Sequence, residues 1–177
     1  PKHKNLEEEK NHYVITGVKN EHGFSYEFLF KGRLAGTKKL DIDEPYLQKE
    51  QQCFNFIEFL LFYQKMILKN ETSTINLTTR EADEISGIYI QNEHLKNIET
   101  FVKNEKMPIK LNIEIKKGSS QMHGRKIVAD NGWMFTCDRG LDIFQTWEFV
   151  KKKGYKKKNQ KERCCRPILF TAVHQIE

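Results

Sequence analysis

The stretch Met122–Gln145, MHGRKIVADNGWMFTCDRGLDIFQ, decides how the rest of the chain is read. At its centre Asp130-Asn131-Gly132 separates two apolar runs, Arg125 to Ala129 and Trp133 to Cys137. Asn-Gly between such runs is the strongest short-range signal for a β-hairpin, because the turn needs backbone conformations that Gly and Asn tolerate. Downstream, Arg139-Gly140-Leu141-Asp142 reads as a bend permitted by Gly140 and braced by Arg139 against Asp142 or Asp138. An exposed pair of that kind is worth ~0–1 kcal/mol. Arg139, Asp142 and Trp133 are therefore taken as a structural motif, in preference to a ligand contact.

Working outward, period-two alternation predicts strands at 12–18, 38–42, 73–79, 109–115 and 167–173. Between them lie three helical patterns. Ser25 is a candidate N-cap for a short helix reaching Leu34. Pro45 sits where the first turn of a long helix, about 47–69, would accept it. In that helix Phe54, Ile57 and Leu60 or Leu61 define an apolar stripe, widened by Phe56, Phe59 and Phe62. Leu95, Ile98, Phe101 and Val102 mark a third helix, about 87–105. Strand alternating with helix implies an α/β fold with a parallel, right-handed first half, followed by a hairpin-bearing second half. The charged start PKHKNLEEEK, residues 1–10, reads as a linker remnant, and 11–177 as one domain.

At 177 residues the chain can bury a real core. No apolar run approaches the roughly 18–20 residues needed to span a bilayer, and the charged N-terminus is not a signal peptide. The four cysteines show no metal spacing. Reduced thiols and a cytoplasmic location are expected, with no metal or cofactor.

The net charge of +6 is unevenly placed. Lys151, Lys152, Lys153, Lys156, Lys157, Lys158, Lys161, Arg163 and Arg166 fall within 16 residues that hold one acid, Glu162, so this segment alone carries +8. Such a cluster points to an anionic partner, the bland alternative being a solvated loop.

His123, Arg125 and Asp130 stand at the offsets of the H-x-K-x4-D motif of phospholipase D-type enzymes, with arginine in the lysine position. There the histidine attacks phosphorus and the cation neutralises phosphate oxygen. Arginine still binds phosphate, but its planar fork is not interchangeable with an ammonium. A complete site needs two such motifs and this chain has one, so catalysis would require a homodimer. The alternative is a surface histidine in a vestigial or purely binding site.

Taken in order, several segments resemble the MIT C-terminal domain, a phospholipase D-like domain. They are Gly23-Phe24-Ser25-Tyr26-Glu27 with Leu29-Phe30, Asp43-Glu44-Pro45-Tyr46, Asn55-Phe56, His123-Gly124-Arg125, Asn131-Gly132-Trp133 and Arg139-Gly140-Leu141-Asp142. Similar domains end the Lon-like ATPases of BREX phage-defence systems. The resemblance runs from about Tyr13 to Val173. It implies a phospholipase D-like sheet flanked by helices, with a C-terminal hairpin, and a homodimer that binds acidic phospholipids such as phosphoinositides without established catalysis. It also implies a peripheral place at membranes in ESCRT-III-linked remodelling or cytokinesis, and an N-terminal domain beyond this chain. Two alternatives stay open: a nucleic-acid-binding or assembly domain of a defence protein, and an active phosphodiesterase or nuclease using His123.

Overall fold

The structure, a computed structural model, describes residues 6–67, 71–118, 122, 124–145 and 159–175. It is an α/β fold in which eight strands form one open sheet. In chain order the elements are β1 (Leu6–Glu9), β2 (His12–Gly17), α1 (Tyr26–Phe30), β3 (Lys39–Asp43), α2 (Glu50–Gln64) and β4 (Ser73–Arg80). There follow α3 (Ile85–Asn104), β5 (Ile109–Lys116), β6 (Lys126–Ala129), β7 (Trp133–Cys137) and β8 (Ile168–His174). The strands lie in the order β1-β2-β8-β7-β6-β3-β4-β5.

Only β3, β4 and β5 run parallel. The expectation that the first strand joins them is corrected. β2 pairs antiparallel with β8, and β8, β7 and β6 stand between it and β3. Residues 6–9 are not linker: β1 pairs with β2 from Leu6↔Ile15 to Glu9↔His12 and forms one edge. The hairpin is as expected, with Ile127 opposite Phe135 and Val128 opposite Met134. Gly132 closes it at φ +90°, its N–H donating to the Ala129 carbonyl at 3.1 Å.

Alternate strand residues are buried on one face, as in β4, where Ser73, Ile75, Leu77 and Thr79 turn inward. Against that face α1 packs on α2 and α2 on α3. Phe30 is central, with its ring 4.9 Å from Phe135, 5.4 Å from Phe170 and 5.5 Å from Phe59. Ser25 caps α1 as predicted, its Oγ accepting from Phe28 N–H at 3.1 Å. The long helix is shorter than its pattern. It begins at Glu50, and Pro45 lies in the preceding turn with its carbonyl accepting from Arg80 N–H. Its buried face is Cys53, Phe56, Phe59, Leu60 and Tyr63, one position before the expected stripe, and Leu61 is exposed. Cys53 and Cys137 serve as apolar filler, their thiols pushed up to about 12 by burial. All four cysteines are free and buried.

Candidate functional site

β3 is the point where the sheet changes direction, parallel to β4 on one side and antiparallel to β6 on the other. The carboxyl end of β3, the carboxyl end of β4 and the start of β6 therefore meet at one edge. In open α/β sheets such a switch point is where ligands collect. Asp43-Glu44-Pro45-Tyr46, Arg80 and Arg125-Lys126 are delivered there.

Glu44 turns into the protein and is buried. Its Oε2 accepts from the Leu141 N–H at 3.0 Å, and its Oε1 lies 3.9 Å from Arg125 Nε. Burial raises its pKa from 4.5 to about 7, against the opposing pull of the Leu141 N–H and of Arg125. Gly140 makes this approach possible. Its φ is +58°, and a Cβ there would sit 2.7 Å from the Glu44 carboxyl carbon. The bend expected at Gly140 is real, and the carboxylate lodged against it adds a second reason for glycine.

Around this point the scattered sequence segments become one network. The Tyr26 hydroxyl lies 2.8 Å from the Leu141 carbonyl and 3.1 Å from that of Asn55. Asn55 Nδ2 donates to Asp142 Oδ1 at 2.9 Å, and Arg166 Nη1 lies 3.3 Å from Asp142 Oδ2. Burial raises the Asp142 pKa, with Arg166 the strongest opposing influence. The expected Arg139 brace is corrected: Asp142 is held by Asn55 and Arg166, while Arg139 is exposed. Asp138 instead accepts from Leu169 N–H at 3.0 Å. Trp133 is buried, with the Arg33 guanidinium 4.9 Å from its ring.

Arg125 precedes β6 and Asp130 follows it, which places them about 16 Å apart along an extended strand. Asp130 accepts from Lys38 N–H with both oxygens, at 3.1 and 3.2 Å. Arg125 donates to the Asp138 carbonyl and stacks 4.6 Å from the centre of the Tyr46 ring. His123 lies outside the described residues.

The basic cluster is partly corrected. Arg163 is fully buried, its two terminal nitrogens each 2.6 Å from a Glu58 oxygen and its guanidinium 5.0 Å from the Phe144 ring. Arg166 is taken up by Asp142 and by the Phe144 carbonyl, to which Nε donates at 2.9 Å. Neither is left for an external anion. Lys161 is exposed, 3.6 Å from Glu27. Lys151, Lys152, Lys153, Lys156, Lys157 and Lys158 lie outside the described residues.

Sequence reasoning missed Tyr46 and Arg80 as parts of this site. Arg80 stacks 5.3 Å from the centre of the same Tyr46 ring. The available signal was Tyr46 itself, an aromatic placed directly after a strand and a proline. Among the described residues no helix is long and apolar enough to cross a membrane, and no group of His, Cys, Asp and Glu is arranged to hold a metal ion.

MIT domain-containing protein 1 of Mus musculus is 32% identical over 152 residues, covering 84% of this chain and 57% of that protein. The chain thus spans little more than half of that relative. The model of the phospholipase D-like domain at the C-terminus of MIT matches residues 23–174, a span that holds Tyr26, Glu44, Asn55, Gly140 and Asp142. The chain belongs to this family of phospholipase D-like domains.

Proposed function

We propose that this domain is a non-catalytic phospholipase D-like module that docks on acidic phospholipid membranes, phosphoinositides included, as a homodimer. The observation that carries the proposal is the density of cations: seven lysines between Lys151 and Lys161, with no acid among them. Near an anionic surface each is worth roughly 1 kcal/mol, and two copies add avidity. Removal of Arg163 and Arg166 from the cluster leaves the lysines as its anion-binding part. A role in membrane remodelling at cytokinesis with ESCRT-III fits a module of this kind.

The test is sedimentation with vesicles, with and without phosphatidylinositol phosphates, across a range of salt. The wild-type domain is expected to bind acidic vesicles at physiological ionic strength. Replacing Lys156, Lys157 and Lys158 with glutamate is expected to abolish that binding. Undiminished binding by this variant would remove the lysine segment from the proposal. A short DNA duplex forms the other arm. Preference for the duplex with a steep salt slope would mean phosphate contacts to nucleic acid and would overturn the membrane reading.

A further inference from the structure

We propose that the free edge of β5 is the surface on which a second copy of this chain docks, the two strands pairing antiparallel about a two-fold axis at Asn112. This names the interface of the homodimer in the reading above and rests on that reading.

The sheet has two edges, and only one is guarded. β1 is four residues long and reads LEEE, a short acidic edge of the kind that resists pairing. β5 is eight residues long and reads IKLNIEIK, without proline or glycine, and among the described residues no strand lies beyond it. Towards β4, the Ser73 N–H donates to the Pro108 carbonyl and the Glu81 N–H to that of Lys116, at 2.9 and 3.0 Å. These bonds bracket the parallel ladder, so the backbone groups of Lys110, Asn112 and Glu114 face β4. Those of Ile109, Leu111, Ile113 and Ile115 point outward, an open row of donors and acceptors.

Cover on the inner face also thins towards this edge. Ile109 is buried, but Leu111, Ile113 and Ile115 are only half-buried. A groove lined by Val102, Met107, Ile109 and Leu111 separates the strand from the end of α3, with Lys103 at its rim. Ile85 lies about five helical turns before Lys103, on the same side of α3, and is 89% exposed.

The strand fits a copy of itself. Opposed residues of an antiparallel pair share a face, and those whose backbone groups both point outward form the hydrogen-bonded pairs. With the axis at Asn112, Ile109 meets the partner's Ile115 and Leu111 meets the partner's Ile113, apolar against apolar on the inner face. On the outer face Lys110 meets the partner's Glu114, and symmetry repeats the pair. Both are exposed, with the uncharged Thr74 and Thr78 as their neighbours on β4. Asn112 ends a polar ladder across three strands: its Nδ2 donates to Asn76 Oδ1 at 2.8 Å, and Asn76 Nδ2 to Asp41 Oδ1 at 2.7 Å. The partner's Asn112 continues that ladder across the axis. Moving the axis to Ile113 sets Lys110 against Lys116, and moving it to Leu111 sets Glu114 against Pro108. Charge therefore selects one register.

Sedimentation equilibrium of the wild-type domain over a range of concentrations should show a monomer–dimer equilibrium. Lys110→Glu and Glu114→Lys, each alone, set like charges opposite one another twice and should weaken association about tenfold or more. Mixed in equal amounts, the two variants should recover wild-type association, because every cross-strand pair of the heterodimer again has opposite signs. Both positions are exposed, and thermal melting checks that each variant is folded. In the wild type, hydrogen exchange at the Leu111 and Ile113 amides should slow as concentration rises. The Lys110 and Asn112 amides, bonded to β4, should be slow throughout.

A dimer indifferent to both single substitutions, or weakened by each without recovery in the mixture, would overturn this interface and leave the homodimer to another surface. Growth beyond the dimer would mean head-to-tail pairing with the β1 edge and would overturn it as well. A monomer at every concentration would overturn both the interface and the homodimer, leaving the edge to a strand of another protein.

Discussion

Glu44 shows how one side chain can set the pH response of the domain. A carboxyl whose pKa is raised by burial from 4.5 to about 7 takes up a proton in the folded protein that the unfolded chain releases. Its contribution is therefore least unfavourable below about pH 4.5, worsens as the pH rises through the window up to about 7, and is fully unfavourable above it. The shift corresponds to on the order of 3 kcal/mol. Asp142, raised in the same direction, adds to the trend. Denaturant unfolding should accordingly give lower stability at pH 8 than at pH 5. Glu44→Gln keeps an acceptor for the Leu141 N–H and removes the charge, so its pH dependence should be flatter. A variant that retains the wild-type slope would show that Glu44 does not set it. Glu44 was legible in the sequence only as part of an acidic, proline-containing turn. Its burial follows from Gly140, 96 residues away, whose missing Cβ makes room for the carboxylate.

Elements whose signals are local came out much as read. β4, β5 and the hairpin rest on alternation and on Gly132, and α1 begins at the predicted cap. At five residues α1 is far too short to persist alone. It is held by Ser25 at one end, by Lys31 at φ 47° at the other, and by Tyr26, Leu29 and Phe30 turned into the core. Ser25→Ala should cost about 1 kcal/mol by chemical denaturation. Ser25→Asp, which can still accept from the Phe28 N–H, should restore most of it. Equal losses in both variants would shift the explanation from capping to packing of the buried Ser25 side chain. The start of α2 was misplaced because Pro45 suits a first helical turn, whereas the chain spends Glu44, Tyr46 and Leu47 on tertiary contacts before the helix begins. Its buried face was displaced by one residue because phenylalanines stand on both sides of the helix, so periodicity alone does not choose the core side.

Over the whole molecule, distant segments are joined by a few polar ties. Arg163, just before β8, meets Glu58 of α2 across 105 residues with paired 2.6 Å contacts, both partners shielded from water. Breaking such a pair leaves one buried charge alone. Arg163→Ala should therefore lower stability by about 3–5 kcal/mol. The double replacement Arg163→Met with Glu58→Leu should recover most of that loss, because neither charge then has to be desolvated. If Arg163→Ala unfolds as easily as wild type, the pair does not tie the C-terminal segment to the helix layer. The same pair explains why the basic cluster looked larger in sequence than it is in three dimensions.

By itself the sequence determined the alternation of strands and helices, the hairpin turn and the α1 cap. Each is decided by backbone preferences and side-chain periodicity within a few residues. The order of motif segments along the chain was enough to reveal the phospholipase D-like family. Only the tertiary structure decided that β2 lies beside β8, that Arg125 and Asp130 occupy opposite ends of β6, that Arg163 is internal and Arg166 is paired with Asp142, and that Arg80 joins Arg125 on Tyr46. Strand neighbours and guanidinium partners are set by contacts between residues far apart in the chain. Such contacts depend on the assembled shape and leave no periodic trace in any local window.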